Sequence, residues 1–172
     1  MNQEPVKEIW KDIPEFSNYQ ISNLGRIYNY KRDCFMQTSD NGRGNLKITL
    51  LHDDRYRYTR SVAQIVGEAF VSPPNGWCDQ IAVLDGNFYN MAAENLVWRP
   101  RWYVWKYTHQ LKENQPIKYT NTPVLNVTKN IIYNSIIEAG MIEGLLFDDI
   151  WQSTYTGYPI FFDSVTFNLV IK

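Results

Sequence analysis

An α+β fold assembled from small modules is predicted by three features of the sequence. Apolar residues alternate with period two in short runs near 19–27, 45–51 and 55–62, and a short apolar run stands at 80–84. One segment, "SVAQIVGEAF" at 61–70, switches to helical spacing through Val62, Ile65, Val66, Ala69 and Phe70. Turn-forming clusters separate these pieces: Asn23-Leu24-Gly25, His52-Asp53-Asp54 and "SPPNG" at 72–76.

Taken in order, Tyr19, Ile21 and Ile27 flank Asn23-Leu24-Gly25 as a hairpin does, with Gly25 at positive φ. "NLKITLL" at 45–51 and "RYRYTRSV" at 55–62 read as two strands joined at "HDD". After the 61–70 helix and the 72–76 loop, "QIAVL" is a strand and "DGNFYNM" a loop. "AAENLVW" reads as the start of a helix that Arg99-Pro100 bends or ends. Residues 107–123 are polar, hold Pro116 and Pro123, and read as a linker. "TPVLNVTKNIIYNS" is strand, turn, strand. Ser135 and Glu138 have capping-box spacing, and Gly140 or Gly144 ends the helix they start. "LLFDDIWQS" is a second short helix, and "YPIFFDSVTFNLVIK" closes with strands.

Composition narrows the function classes. Hydrophobic residues are 44% of 172 and aromatics 15%, enough for a packed core and too many for a disordered chain. No apolar run reaches the roughly 18 residues of a membrane span, and no leader-like segment opens the chain, so neither membrane nor signal peptide is expected. Cys34 and Cys78 lack the spacing of a zinc site or a disulfide framework, which predicts a reduced intracellular setting. A net charge of -1 and a pI of about 6.1 weigh against a dedicated non-specific nucleic-acid binder. The charge is uneven: residues 1–60 carry ten basic and eight acidic side chains, residues 116–172 three basic and five acidic.

Three stretches resemble the HNH, or His-Me finger, homing endonucleases. Glu8, Trp10, Lys11, Ile13, Phe16, Tyr19, Ile21, Ser22, Asn23, Gly25 and Ile27 fall at the offsets of the nuclease-associated motif that accompanies these enzymes. Val62, Ile65, Val66, Glu68, Ala69 and Phe70 match the family's helix, and Asp85, Gly86, Asn87, Asn90, Asn95, Leu96 and Trp98 match its finger loop. Ser135, Ile136, Glu138, Ala139, Gly144 and Ile150 are similar to the helix-turn-helix repeat that often follows. The resemblance implies a ββα-metal finger with a β-rich N-terminal module and a small C-terminal β/helix-turn-helix module. The implied division is 1–60 for the nuclease-associated module, 61–106 for the finger, 107–123 for the linker and 124–172 for the repeat.

In the active family an Asp-His pair ends the first finger strand. The His takes a proton from water and the Asp holds a divalent metal, so both need lone pairs. The aligned residues are Ala82 and Val83, and the second metal position falls near Val104. No catalytic residue and no metal ligand is therefore expected, no cofactor is implied, and Mg²⁺ enters only if the finger cleaves after all. The retained motif is Asp85, Gly86, Asn87, Asn90, Asn95 and Trp98. A rebuilt site from Asp79, Asp85 and His109 is disfavoured against a turn-stabilising Asp85 and a surface His109.

Candidate nucleic-acid contacts are Arg55, Arg57 and Arg60, with Arg55 and Arg57 on one strand face, and Arg99, Arg101 and Lys106 among the rings of "WRPRWYVWK". The alternative is a ring-rich helix with its basic groups solvated. Leu146, Phe147, Asp148 and Asp149 replace the basic start of a reading helix and are candidate partner contacts; in the alternative, the two acids complement the helix dipole and Phe147 and Trp151 are core. The reading that follows is a catalytically inactive relative from a phage or mobile element, repurposed to bind a protein such as a virion component or host factor. Its expected setting is the infected host cytoplasm or the virion. A non-cleaving DNA binder, with DNA as the weaker partner, and a nuclease with a rearranged metal site are the alternatives.

Overall fold

The computed structural model describes residues 7–40, 42, 45–72, 76–112, 115–160 and 164–170. It is a mixed α+β chain with several small antiparallel sheets, and its contacts group into two compact units, 1–101 and 102–172. Among the described residues no helix is long and apolar enough to cross a membrane. Part of the 72–76 loop and part of the closing 158–172 segment lie outside the described residues.

The first unit opens with a four-stranded sheet in sequence order: β1 (Trp10–Asp12), β2 (Tyr19–Ser22), β3 (Ile27–Asn29) and β4 (Cys34–Phe35). Period-two patterning decides its buried face, because Tyr19, Ile21, Ile27 and Asn29 point inward while Gln20 and Tyr28 do not. Gly25 sits in the β2–β3 turn at φ +84, and a Cβ there would stand 2.5 Å from Met91 Cβ. Both facts demand glycine. The adjoining Asn23 accepts the Ile9 amide on its side chain at 2.8 Å and the Ala93 amide on its carbonyl at 2.8 Å. The N-terminal motif thus ties β1 to the loop of the finger.

Strands β5 (Lys47–Leu51) and β6 (Arg57–Ser61) form a two-stranded ribbon. Ile48 and Leu50 face the core; Lys47, Thr49 and Leu51 face outward. Helix α1 (Val62–Phe70) follows directly and buries Val62, Ile65, Val66 and Gly67. Strands β7 (Gln80–Val83) and β8 (Leu96–Arg99) make the finger hairpin. One core joins these elements, from Ile13, Phe16, Ile21 and Ile27 through Leu50 and Val66 to Val83, Met91 and Leu96.

Two sequence expectations change here. "AAENLVW" begins no helix: Ala93–Asn95 is a single 3-10 turn, and Leu96–Arg99 is β8. Tertiary pairing with β7 prevails over local propensity, and the helix starts only after Pro100, where a missing amide proton costs least. Arg55 is not in a strand either. It occupies the β5–β6 turn at φ +72, so it shares no strand face with Arg57.

The second unit contains α2 (Arg101–Gln110, its first residue at the division), α3 (Ile117–Thr120), β9 (Val124–Asn126), β10 (Ile131–Tyr133), α4 (Ile136–Glu143), α5 (Phe147–Thr156) and β11 (Phe167–Leu169). The sheet order is β10-β9-β11. Ser135 caps α4 by accepting the Glu138 amide at 3.0 Å, and Gly144 closes it at φ +66. Gly140 does not end the helix but lets α5 approach it, since a Cβ there would meet the Phe147 ring at 2.5 Å. Within the polar 107–123 stretch, Tyr107 of α2 and Tyr119 of α3 are both buried. Single buried rings hold a segment whose average composition is polar.

Candidate functional site

The finger loop 84–95 is organised around one carboxylate. Asp85 Oδ1 accepts from the Asn95 Nδ2 at 2.9 Å and from the Asn87 amide at 2.8 Å, and Oδ2 accepts from Asn90 Nδ2 at 2.8 Å. Asn95 is buried and is fully used: Oδ1 accepts the Asp85 amide at 3.0 Å, and Nδ2 also donates to the Asn90 carbonyl at 2.9 Å. Burial pushes the Asp85 carboxyl up, but the hydrogen bonds from Asn90, Asn95 and the Asn87 amide outweigh it and hold the group below the usual carboxylate range. Gly86 turns the loop at φ +71. Trp98 is largely buried, with its indole edge beside Gly67 of α1.

At the strand end where a nuclease needs its base, Val83 is 6% exposed and Ala82 1%. They pair with Leu96 and Val97 across the hairpin, and Val83 belongs to the main core. Val104 lies half-buried on α2. A divalent ion requires oxygen or nitrogen donors at such positions, and these side chains have none. Both carboxylate oxygens of Asp85 are already engaged. Among the described residues no group of three His, Cys, Asp or Glu side chains is placed to hold an ion. The residues present do not fit the family's metal. His109 does not supplement them: its ring stacks on Trp105 at 4.0 Å, with Nδ1 2.7 Å from the Trp105 carbonyl. Asp79 is exposed just before β7.

The six candidate basic contacts separate. Arg60 lies on the core side of the ribbon and grips Glu68 of α1 with both contacts at 2.6 and 2.7 Å. Arg99 is 5% exposed and donates to the Trp98 carbonyl at 3.0 Å. Arg99 is buried, and the charge of Arg60 is already paired with Glu68. Arg55, Arg57, Arg101 and Lys106 are exposed, Lys106 standing 5.5 Å over the Trp102 ring.

A basic cleft emerges that the sequence did not single out. Lys31 and Arg32, beyond β3, meet Arg57 of β6 across a cleft of about 450 Å³ whose other walls include Asn18, Asn29, Thr49 and Leu51. Among the described residues no carboxylate lines it, and none of the three cations has an acidic partner. Lys31-Arg32 is too short a run to stand out in sequence; the fold supplies the third charge.

Leu146, Phe147, Asp148 and Asp149 line a second groove, of about 640 Å³, with Trp105, Lys106 and His109 in the second unit. Phe147, a candidate partner contact, is instead core, as the alternative reading of this helix has it, at 2% exposure and packed against Gly140. Its amide is capped by Gln110 Oε1 at 2.9 Å, and that of Leu146 by the Tyr103 hydroxyl at 2.8 Å. Asp148 accepts from the Tyr119 hydroxyl. Asp149 is half-buried, and burial raises its carboxyl while Lys106 opposes the rise.

Comparison with known proteins agrees with this arrangement. Residues 8–60 match the family model of the NUMOD4 motif. An uncharacterized HNH endonuclease of Acanthamoeba polyphaga mimivirus is 30% identical over 89 residues, 52% of this chain. The match spans only 22% of that relative's length. Among solved structures, the HNH homing endonuclease I-HmuI, described for DNA binding and cleavage, superposes with a TM-score of 0.55 at 21% identity. The superposition covers 95% of this chain and 99% of that one, and it establishes the shared fold.

Proposed function

We propose that this chain, which matches the NUMOD4 motif over residues 8–60 and shares the fold of an HNH homing endonuclease, binds DNA without cleaving it, through the first unit, in a virus- or mobile-element-infected host. One contrast supports this reading above all. The finger retains its whole Asp85–Asn95 scaffold, yet its base and metal positions are buried aliphatic side chains. Within the finger, the departures fall on the positions that would do chemistry. An exposed basic cleft and ribbon in the same unit keep the equipment for phosphate contact. The viral relative supports the setting.

A salt series of duplex mobility shifts tests the reading. DNA binding requires the logarithm of affinity to fall with the logarithm of salt at about -0.9 per phosphate contacted. A flat, weak response overturns it.

A protein-binding role is the second reading, favoured by the groove lined by Trp105, Leu146, Asp148 and Asp149, where Trp105 is 62% exposed. The burial of Phe147 removes the ring expected to anchor such a partner, which ranks this role below DNA.

A further inference from the structure

We propose that the cleft between the N-terminal sheet and the β5–β6 ribbon is a pocket for a single nucleotide, taking its phosphate on Lys31, Arg32 and Arg57 and its base against Met36 and Leu51. The inference deepens the DNA-binding reading, on which it rests, by assigning it a site and a ligand class.

Four observations converge on this cleft. The first is charge. Lys31 and Arg32 stand on one wall and Arg57 on the other, so an anion entering between them is approached from two sides. A guanidinium on each wall suits the forked geometry of a phosphate, and among the described residues no carboxylate lines the space to repel it. The second is size. About 450 Å³ lies within the range of small-molecule sites and accommodates one nucleotide, whereas a duplex backbone needs only a shallow track.

The third is the floor. Tyr19, Met36 and Leu51 supply apolar surface beside the cations, which an inorganic anion has no use for and a base ring does.

The fourth is a weakly satisfied donor. Asn29 lines the cleft and is 3% exposed. Its Oδ1 accepts the Arg32 amide at 3.1 Å, which fixes the carboxamide. Its Nδ2 meets only the Met36 sulfur, at 3.9 Å. A thioether is a weak acceptor, so a buried amide with two N–H donors is left short of partners. Such a group is costly unless a ligand acceptor completes it, and the edge of a base presents one. Asn18 and Thr49, on the same walls, add further polar contacts for base or sugar.

In bound DNA, the occupant is a nucleotide displaced from the stack or one in a single strand. The same chemistry admits a free nucleoside monophosphate, and the test separates the two.

The measurement is amide chemical-shift mapping of the full chain titrated with dAMP, deoxyadenosine, inorganic phosphate and a 12-nucleotide single strand, alongside duplex mobility shifts. We expect dAMP and the strand to move the amides of Asn29, Lys31, Arg32 and Thr49. Arg32→Ala and Arg57→Ala, both at exposed positions, should each weaken dAMP by about tenfold, as loss of a charge-assisted hydrogen bond does. Strand binding tighter than dAMP assigns the site to nucleic acid; the reverse order assigns it to the free nucleotide. Inorganic phosphate acting as strongly as dAMP overturns the nucleotide assignment. Duplex retardation with unmoved cleft amides overturns the pocket and leaves the DNA-binding function standing. Shifts with dAMP and no retardation do the opposite. No response in either assay removes both.

Discussion

Asn95 and Asp85 hold each other twice: the Asn95 amide donates to the Asp85 carboxylate at 2.9 Å, and the Asp85 backbone N–H donates to the Asn95 carbonyl oxygen at 3.0 Å. In a working finger an asparagine at this place would orient the base. Here its side chain is spent on hydrogen bonds within the loop. Asn95→Ala should therefore cost about 1–3 kcal/mol of stability, the range for leaving buried partners unmet. Urea denaturation measures it, and a neutral result means the loop is not held this way.

The same carboxylate sets an acid limit. Asp85 is held below its ordinary value in the folded chain, so the unfolded chain takes up its proton first as pH falls. The contribution is complete above about pH 3.9, the unfolded value, and disappears as pH drops through the lowered folded one. Asp85→Asn should flatten this part of the acid unfolding curve, read as the urea midpoint against pH.

At the alkaline end the second unit should respond through Tyr119. Burial, and then the hydrogen bond to Asp148, push its hydroxyl to about 12. A raised value stabilises the fold below the unfolded value of about 10 and is lost as pH climbs from there to about 12. Tyr119→Phe should remove that loss, seen as a flatter Tm profile over the same interval.

Gly140→Ala should destabilise by about 1–3 kcal/mol, the usual cost of overpacking. The added methyl would meet the Phe147 ring at 2.5 Å and the Leu145 carbonyl at 3.0 Å, and the carbonyl cannot swing away as a side chain can. Thermal unfolding measures the loss. A stabilised variant would mean that helix propensity outweighs the clash.

Two arginines on one ribbon should behave differently toward DNA. Arg57→Ala should lower the salt slope by about 0.9, one phosphate's worth, because its side chain is exposed and without an acidic partner among the described residues. Arg60→Ala should leave the slope unchanged, since Glu68 already holds that guanidinium.

Much of the fold was legible because local signals and tertiary demands coincide. Gly25 at a turn, the apolar stripe of α1, and the Ser135 cap with Gly144 at the other end of α4 each appear where spacing places them. The signals failed where long-range pairing decides. Leu96–Trp98 has no strong local preference, and β7 makes it a strand. Arg55 opens a run that alternates, but it lies in the turn and β6 begins two residues later, at Arg57. The basic cleft was invisible for the same reason: Lys31 and Arg57 are 26 positions apart, and only the packing of ribbon against sheet brings them to one space. At the finger the sequence already places aliphatic side chains at 82 and 83, and such groups carry no lone pairs in any fold. The burial of Ala82 and Val83 was the structure's addition.

Binding without cleavage is tested most directly by incubating the full chain with supercoiled plasmid in Mg²⁺ or Mn²⁺, and reading each sample with protein present and again after its removal. The account predicts retarded DNA that returns as intact, covalently closed circles. Nicked or linear product that accumulates with time and vanishes with EDTA or in Asp85→Ala would contradict it, as would plasmid that is never retarded.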